Sequence, residues 1–261
     1  MNEVSPRLRG AVHAAVRHDS AIAHVTGAAR YLDDVPSVPG TLEAALVLSP
    51  HAHARIRGLD LSACLAASGV VAAIAATDIP GRNDIAPIRT GEPALAADIV
   101  EYEGQPVAAI AAATLDQARA AAKLAAIDYE ALPAVLTIEE AIARDSYVSP
   151  PQLMLRGDVE DALAGAPLRF SGELRCGGQD HFYLEGQIAL ATPGETTDMH
   201  VWSSTQHPTE VQHGVAHLSG CRSTPSRSRC GEWAARSAAK RARRPSSPAL
   251  RRCLPGRRGN R

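Results

Sequence analysis

The feature that most restricts what this chain can fold into is an abrupt change of composition after Gly220. Residues 221–261 hold twelve arginines, one lysine and one glutamate, but only two residues from the set Leu, Ile, Val, Phe and Met. Such a segment has too little apolar surface to offset chain entropy, so we expect residues 221–261 to be disordered. The preceding 220 residues hold 14 basic and 27 acidic side chains and an ordinary apolar content, and the fold must lie there.

The composition also excludes several classes of protein. The net charge of −1 indicates no general preference for nucleic acid or anionic membranes. No run approaches 18 apolar residues and the N-terminus lacks a signal-peptide core, so we expect a cytoplasmic protein. Cys64 and Cys176 have no metal-ligand spacing and are predicted to be buried small residues. Cys221 and Cys230 lie nine positions apart without a C-x-x-C partner, which argues against zinc.

The first half of the chain alternates strand and helix signals. Short apolar runs at residues 42–48, 70–77 and 107–112 predict buried strands. Thr114 and Gln117 have capping-box spacing before an alanine-rich stretch that favours a helix, and residues 127–129 return as a strand. Strand, helix and strand within about 25 residues predict a compact α/β unit.

The second half shows shorter signals. Thr137 with Glu140 predicts a second helix, and Asp158 is predicted to cap a third, which Gly165 would end in the left-handed conformation. Further strands are predicted at residues 170–174, 188–191 and 199–204, followed by a helix at residues 211–218. No internal repeat is evident.

Four segments together resemble one known family, the molybdenum hydroxylases, and specifically the molybdopterin-binding subunit of xanthine dehydrogenases. They occur in the family's order and spacing: HVTGAARYLDDVPSVPGTLEAALVLSPHAHARI (24–56), EGQPVAAIAAATLDQARAAAKLAAIDYEALPAVLTIEEA (103–141), GGQDHFYLEGQIAL (177–190) and SSTQHPTEVQHGVAHLSG (203–220). The resemblance implies an α/β (α+β) fold, an a/b hammerhead domain followed by the start of the molybdenum-cofactor-binding domain. The domain boundaries expected from it are 1–15 for an N-terminal arm, 16–135 for the hammerhead domain, 136–220 for the first part of the cofactor-binding domain and 221–261 for the basic tail.

The resemblance also implies an activity and its cofactors. Family members carry a molybdenum–molybdopterin cofactor and hydroxylate hypoxanthine or xanthine with oxygen taken from water. Electrons then pass through Fe-S clusters and FAD to NAD. Because this chain begins almost directly at the hammerhead domain, it resembles the split bacterial enzymes, in which a partner subunit carries the Fe-S clusters and FAD. The expected assembly is therefore a hetero-oligomer. A related aldehyde or carbon monoxide dehydrogenase stays an alternative, as does an interaction protein whose basic arm binds nucleic acid.

One residue matches a family contact with the cofactor. Gln206, in SSTQHP, corresponds to the glutamine beside a molybdenum oxo ligand, and an amide can donate to an oxo group without adding charge. Gln179, Asp180, His181 and Glu185 form a polar cluster that could be a metal site or an acid/base pair by residue type. The resemblance favours a structural role next to the cofactor pocket for this cluster, with Phe182 and Tyr183 as core anchors.

The histidines and the Asp33–Asp34 pair are interpreted as structural. His51 and His53 alternate along an extended segment and face the same side, but no third metal ligand is evident. We therefore expect surface or subunit contacts rather than metal. Asp33 and Asp34 are expected to cap a turn or pair with Arg30. The remaining candidates are in a predicted loop and helix and lack a carboxylate partner: His207, His213 and His217.

The basic tail does not match the family's continuation after Gly220, which is a strand and a glycine-rich loop, G-G-x-F-G-G-K-E. Reading the codons of residues 221 onward two bases later permits a peptide that contains Gly-Gly-Ala-Phe-Gly-Gly-Lys-Glu at the expected place. One glycine is forced, because the Trp233 codon ends in G and every Ala234 codon begins with GC. We therefore hypothesise that residues 221–261 are read out of frame. In the family a glutamate takes the proton during hydroxylation, and this catalytic glutamate would then lie outside the chain, which is expected to be inactive alone.

Overall fold

A computed structural model describes residues 15, 17–18, 20–88, 90–179, 182, 185–194 and 199–220. The predicted basic tail and most of the predicted N-terminal arm lie outside these residues. The described chain has the mixed helix and strand content predicted from the sequence. Its helices and strands, in chain order, are α1 Ala21–Thr26, β1 Glu43–Leu48, β2 Ala54–Asp60, α2 Ser62–Ala66, β3 Val70–Ala75, β4 Ile99–Val100, β5 Pro106–Ala112, α3 Leu115–Ala122, β6 Ala126–Ala131, α4 Ile138–Ala143, α5 Val159–Gly165, β7 Ala189–Pro193, β8 Met199–Ser203 and α6 Pro208–Ser219.

The first sheet has the strand order β1-β5-β3, and both pairings are antiparallel. Every residue of the central strand β5 is buried, as its uninterrupted apolar run predicted. Helix α3 packs on this sheet, where Val47, Ile110 and Ala121 share one core cluster. The predicted cap of α3 is confirmed, because the Thr114 side chain accepts a hydrogen bond from the backbone N–H of Gln117 at 3.3 Å.

The second sheet has the strand order β4-β2-β6. Strands β5 and β6 flank α3 in sequence but lie in different sheets, so the predicted strand–helix–strand segment joins two sheets instead of forming one. Strand β2 was not assigned from the sequence and pairs antiparallel with β6. Arg55 and Arg57 on β2 both form ion pairs with Glu130 on β6, a cross-strand contact between polar faces.

Helices α4 and α5 begin as predicted. Thr137 and Asp158 each accept a hydrogen bond from the backbone N–H three residues later, at 3.2 and 2.9 Å. The prediction for Gly165 is wrong, because it is the last residue of α5 and does not have a positive φ. The helix ends instead with the N–H of Ala166 donating to the carbonyl of Leu163, a turn that needs no left-handed residue.

The strand predicted at residues 170–174 is also wrong, because the segment has no regular structure. Phe170 and Leu174 are 93% and 88% exposed. A strand needs a neighbour for its backbone groups, and no strand of the described chain pairs with this segment. Cys176 follows it and is exposed, contrary to the prediction, whereas Cys64 is buried as predicted.

The last elements are a hairpin and a helix. Strands β7 and β8 pair antiparallel with Ala189 opposite Ser203, close to the predicted strands. Helix α6 begins at Pro208, three positions before the predicted start, and proline is well suited to a first helical turn. None of the helices in the described ranges has the length and apolar character needed to span a bilayer.

Candidate functional site

The corner between strand β8 and helix α6 is fixed by two buried hydroxyl groups. The Ser204 hydroxyl donates to the carbonyl of Gly186 at 3.0 Å and accepts from the N–H of Ile188 at 3.1 Å. The Thr205 hydroxyl accepts from the N–H of His207 at 3.0 Å. Both residues are at most 5% exposed, so these bonds are shielded from water. The backbone immediately before Gln206 is therefore held firmly.

Gln206 lies on this corner, just before helix α6, and its side chain is exposed. The neighbouring N-cap residue, His207, makes no side-chain capping hydrogen bond. The first-turn N–H groups of a helix lack intrahelical partners and form the positive end of its dipole. An amide at this place lies beside backbone donors, an environment that suits an oxygen-rich, negatively charged group. The cofactor contact predicted for Gln206 stays a prediction at this point.

Glu185, which lies just before strand β7, contacts the N-terminal part of the chain. It is 4% exposed, and its Oε1 accepts a hydrogen bond from the N–H of Leu32 at 3.2 Å. The contact is of the structural kind predicted for this residue. Gln179 is exposed. The prediction that Phe182 anchors the core is wrong, because its side chain is fully exposed. The other members of the predicted cluster lie outside the described residues: Asp180, His181 and Tyr183.

The far end of helix α6 contacts the loop after strand β3. The N–H of Gly81 donates to the carbonyl of Leu218 at 3.0 Å, and the N–H of Arg82 donates to the carbonyl of His217 at 2.8 Å. The bond to Leu218 satisfies a carbonyl of the kind that a helix C-terminus leaves unpaired, and the His217 carbonyl also accepts from the N–H of Gly220 at 3.3 Å. A Cβ atom at Gly81 would overlap the carbonyl oxygen of His217, so this approach requires glycine. The loop thereby holds the C-terminal end of α6.

Asp84 organises the same loop. Its carboxylate accepts hydrogen bonds from the N–H groups of Ala86 and Gly91 at 2.9 and 3.1 Å, and from the Arg82 guanidinium at 2.7 Å. Burial by itself raises the pKa of Asp84, but these three partners outweigh it and leave the pKa below the usual value. Asp84 is therefore an anionic centre beside the loop residues that bind α6.

Residues 20–131, which hold the first two sheets, are called the front unit, and its histidine pair, His51 and His53, has contacts within the chain. The ring of His51 lies edge-on to Tyr129 with 4.8 Å between ring centroids, and Nδ1 of His53 lies 2.7 Å from the carbonyl oxygen of Pro133. Asp34 accepts from the N–H of Tyr31 at 2.8 Å and so caps a turn, one of the two roles expected for the aspartate pair. Within the described ranges, no three His, Cys, Asp or Glu side chains gather in a way that could hold a metal ion.

Two supports of the site were missed by sequence reasoning. The role of Ser204 could have been predicted, since a hydroxyl residue at the end of a strand often bonds nearby backbone groups. The close approach of Gly81 to α6 has almost no signal in the sequence. A Pro–Gly pair indicates a turn, but not that a helix end 136 or more positions away rests on it.

Two family descriptions match successive parts of the chain. Residues 26–133 match "Aldehyde oxidase and xanthine dehydrogenase, a/b hammerhead domain". Residues 145–229 match "Molybdopterin cofactor-binding domain". The corner that carries Gln206 lies within the second match.

Relatives and solved structures agree with these matches. The chain is 42% identical over 214 residues to a xanthine dehydrogenase of Oryza sativa subsp. japonica, covering 80% of this chain and 16% of that protein. It is 42% identical over 205 residues to one of Dictyostelium discoideum, covering 78% and 15%. The aldehyde oxidoreductase of Desulfovibrio gigas has a TM-score of 0.64 with 27% identity, covering 78% of this chain and 25% of its own. Quinoline 2-oxidoreductase of Pseudomonas putida 86 gives 0.65 with 26% identity, covering 80% and 28%.

Proposed function

Because the chain belongs to the molybdenum hydroxylase family of oxidoreductases, we propose that its β8–α6 corner forms one wall of a molybdopterin site. In this proposal the Gln206 carboxamide donates a hydrogen bond to an oxygen ligand of molybdenum. The observation that carries it is the position of Gln206. An exposed amide precedes the N-terminus of a twelve-residue helix, on a corner whose backbone two buried hydroxyls hold.

The residues of the corner suit such a group chemically. An amide donates to an oxo group without adding charge, and the adjacent helix terminus favours negative charge. When bound, the molybdenum cofactor supplies oxygen transfer to an electron-poor carbon and accepts the electrons. The corner's own task is to bind and orient that group through Gln206. The contacts of Ser204 and Thr205 hold the backbone from which the amide extends, and small shifts are costly at a reacting centre.

The reaction that we propose for the complete enzyme is hydroxylation of hypoxanthine and xanthine. The names of the curated relatives support it, since they are xanthine dehydrogenases. The Fe-S clusters and FAD would lie on a partner subunit and pass electrons to NAD. The structural likeness to the Desulfovibrio gigas aldehyde oxidoreductase supports a second candidate, oxidation of aldehydes. Purine and aldehyde substrates assayed side by side separate the two.

The chain spans about 15% of the length of the curated relatives it matches. We propose that residues 221–261 are out of frame and that the catalytic glutamate and most cofactor contacts lie beyond this chain. The 261-residue chain is then expected to have no hydroxylase activity. DNA sequencing across the Gly220 codon tests this proposal, and an intact frame without an insertion or deletion would refute it.

The test of Gln206 uses the frame-restored enzyme purified with its Fe-S/FAD partner. Gln206→Ala should lower molybdenum retention or kcat by about 10- to 100-fold, as loss of an outer-shell partner does at metal centres. Gln152→Ala is the matched control, because Gln152 is exposed and bonds only the nearby carbonyl of Pro150. Molybdenum is measured by mass spectrometry and activity with hypoxanthine. Equal molybdenum content and equal kcat in both variants would reject the contact.

A further inference from the structure

A groove of about 630 Å³ lies on the front unit, away from the β8–α6 corner. One wall is strand β1, from Ala45 to Leu48, and the opposite wall is helix α3 with the start of β6. Consecutive residues of a strand point to opposite faces of its sheet. A groove that contacts all four consecutive residues must therefore run along the outer edge of β1.

The edge of β1 is open in the described chain. Strand β1 pairs with β5 on one side, and no described strand pairs with its other side. Edge strands of this kind present unpaired N–H and C=O groups that another extended segment can join. Leu48, at the end of the strand, keeps 47% of its surface exposed. The groove thus offers backbone groups together with apolar surface.

The opposite wall is apolar at its base and cationic at its rim. Arg119, Ala122 and Lys123 line it at the i, i+3 and i+4 spacing of one helix face. Arg119 and Lys123 are exposed, and neither forms an ion pair with a described carboxylate. No acidic residue of the described chain lines the groove. The described side chains that line the groove therefore carry positive charge only.

We infer that this groove binds an extended segment of another protein chain, one that alternates acidic and apolar side chains. The segment would add to the edge of β1 by backbone hydrogen bonds, which is a common mode of peptide recognition. Because alternate residues of the segment point to opposite faces, its carboxylates would face α3 and meet Arg119 and Lys123, while its apolar side chains would pack against Leu46 and Leu48 on the other face. The arginine-rich residues 221–261 lack this chemistry and would be repelled by the two cations, so the segment belongs to another chain in this proposal.

The probe is a fluorescein-labelled octapeptide of alternating glutamate and valine, titrated with the full 261-residue chain and followed by fluorescence anisotropy. We expect saturable binding that weakens as NaCl is raised, because exposed charges are screened by salt. Arg119→Glu with Lys123→Glu should weaken it by about tenfold or more. Arg144→Glu with Arg156→Glu changes the net charge equally at exposed cations outside the groove, and should leave binding unchanged.

Two further peptides separate strand addition from attraction by charge alone. The same octapeptide methylated on every backbone amide keeps its charge but cannot donate backbone hydrogen bonds to a strand edge, and a lysine–valine octapeptide reverses the charge. Both should bind at least tenfold more weakly. Equal binding of either peptide, or unchanged binding after reversal at Arg119 and Lys123, would overturn the inference. So would sedimentation showing a dimer that excludes the peptide, because the groove would then belong to a second copy.

Discussion

Replacing Gly81 by alanine tests whether the loop after β3 supports helix α6. The new Cβ would overlap the carbonyl oxygen of His217, so the loop and the helix end must separate. Two backbone hydrogen bonds are lost, from Gly81 to Leu218 and from Arg82 to His217. Each contributes about 1 kcal/mol net. Alanine also has fewer conformations than glycine in the unfolded chain, and the φ at position 81 is one that alanine can adopt. This effect stabilises the folded chain by about 0.4–1 kcal/mol and offsets part of the loss.

The expected net loss is therefore about 1–2 kcal/mol of local stability. Hydrogen exchange read by mass spectrometry measures it directly, because the two donors are backbone amides of the loop. A loss of about 1.4 kcal/mol corresponds to about tenfold faster exchange at residues 81 and 82. Gly165→Ala is the control, since a Cβ there meets nothing within 4 Å and the φ is not positive. Unchanged protection of residues 81 and 82 in Gly81→Ala would refute the reasoning.

Three other predictions concern hydrogen bonds already described. Because the pKa of Asp84 is lowered in the folded chain, its stabilisation is present above the ordinary carboxyl range and lost as pH falls through the lowered pKa. Urea midpoints measured from pH 7 to pH 3 should fall less steeply in Asp84→Asn. Ser204→Ala leaves the N–H of Ile188 without its partner and should cost about 1–3 kcal/mol in urea unfolding. Thr114→Ala should cost about 1 kcal/mol through loss of the α3 cap, while Thr114→Ser should retain most of it; equal midpoints in the two variants would contradict this role.

The elements that could be predicted from the sequence are those whose determinants are local. The cap of α3 depends on Thr114 and the residue three positions later, and the burial of β5 on its own apolar run. Strand β2 carried a usable signal as well. Its arginines alternate with Ala54, Ile56 and Gly58, which is the period of a half-buried strand.

The elements that could not be predicted depend on neighbours far along the chain. The run at residues 170–174 has a strand-like composition, yet composition does not reveal whether a pairing strand exists beside it. Phe182 is a typical core residue by type and is nevertheless fully exposed. The burial of Glu185 depends on the N–H of Leu32, 153 positions earlier. The prediction for Gln206 rests on the motif around it, not on any property of an isolated glutamine.

The hammerhead unit can be understood as the support of the Gln206 corner. Glu185 precedes β7 and is bound to Leu32, while the end of α6 is bound to Gly81 and Arg82. Gln206 lies between these two anchors in sequence, so the front unit holds both flanks of the segment that carries it. A hydrogen bond to a cofactor oxygen tolerates little displacement. Gly81→Ala, which touches no cofactor, should therefore also lower kcat in the frame-restored enzyme, whereas Gly165→Ala should not.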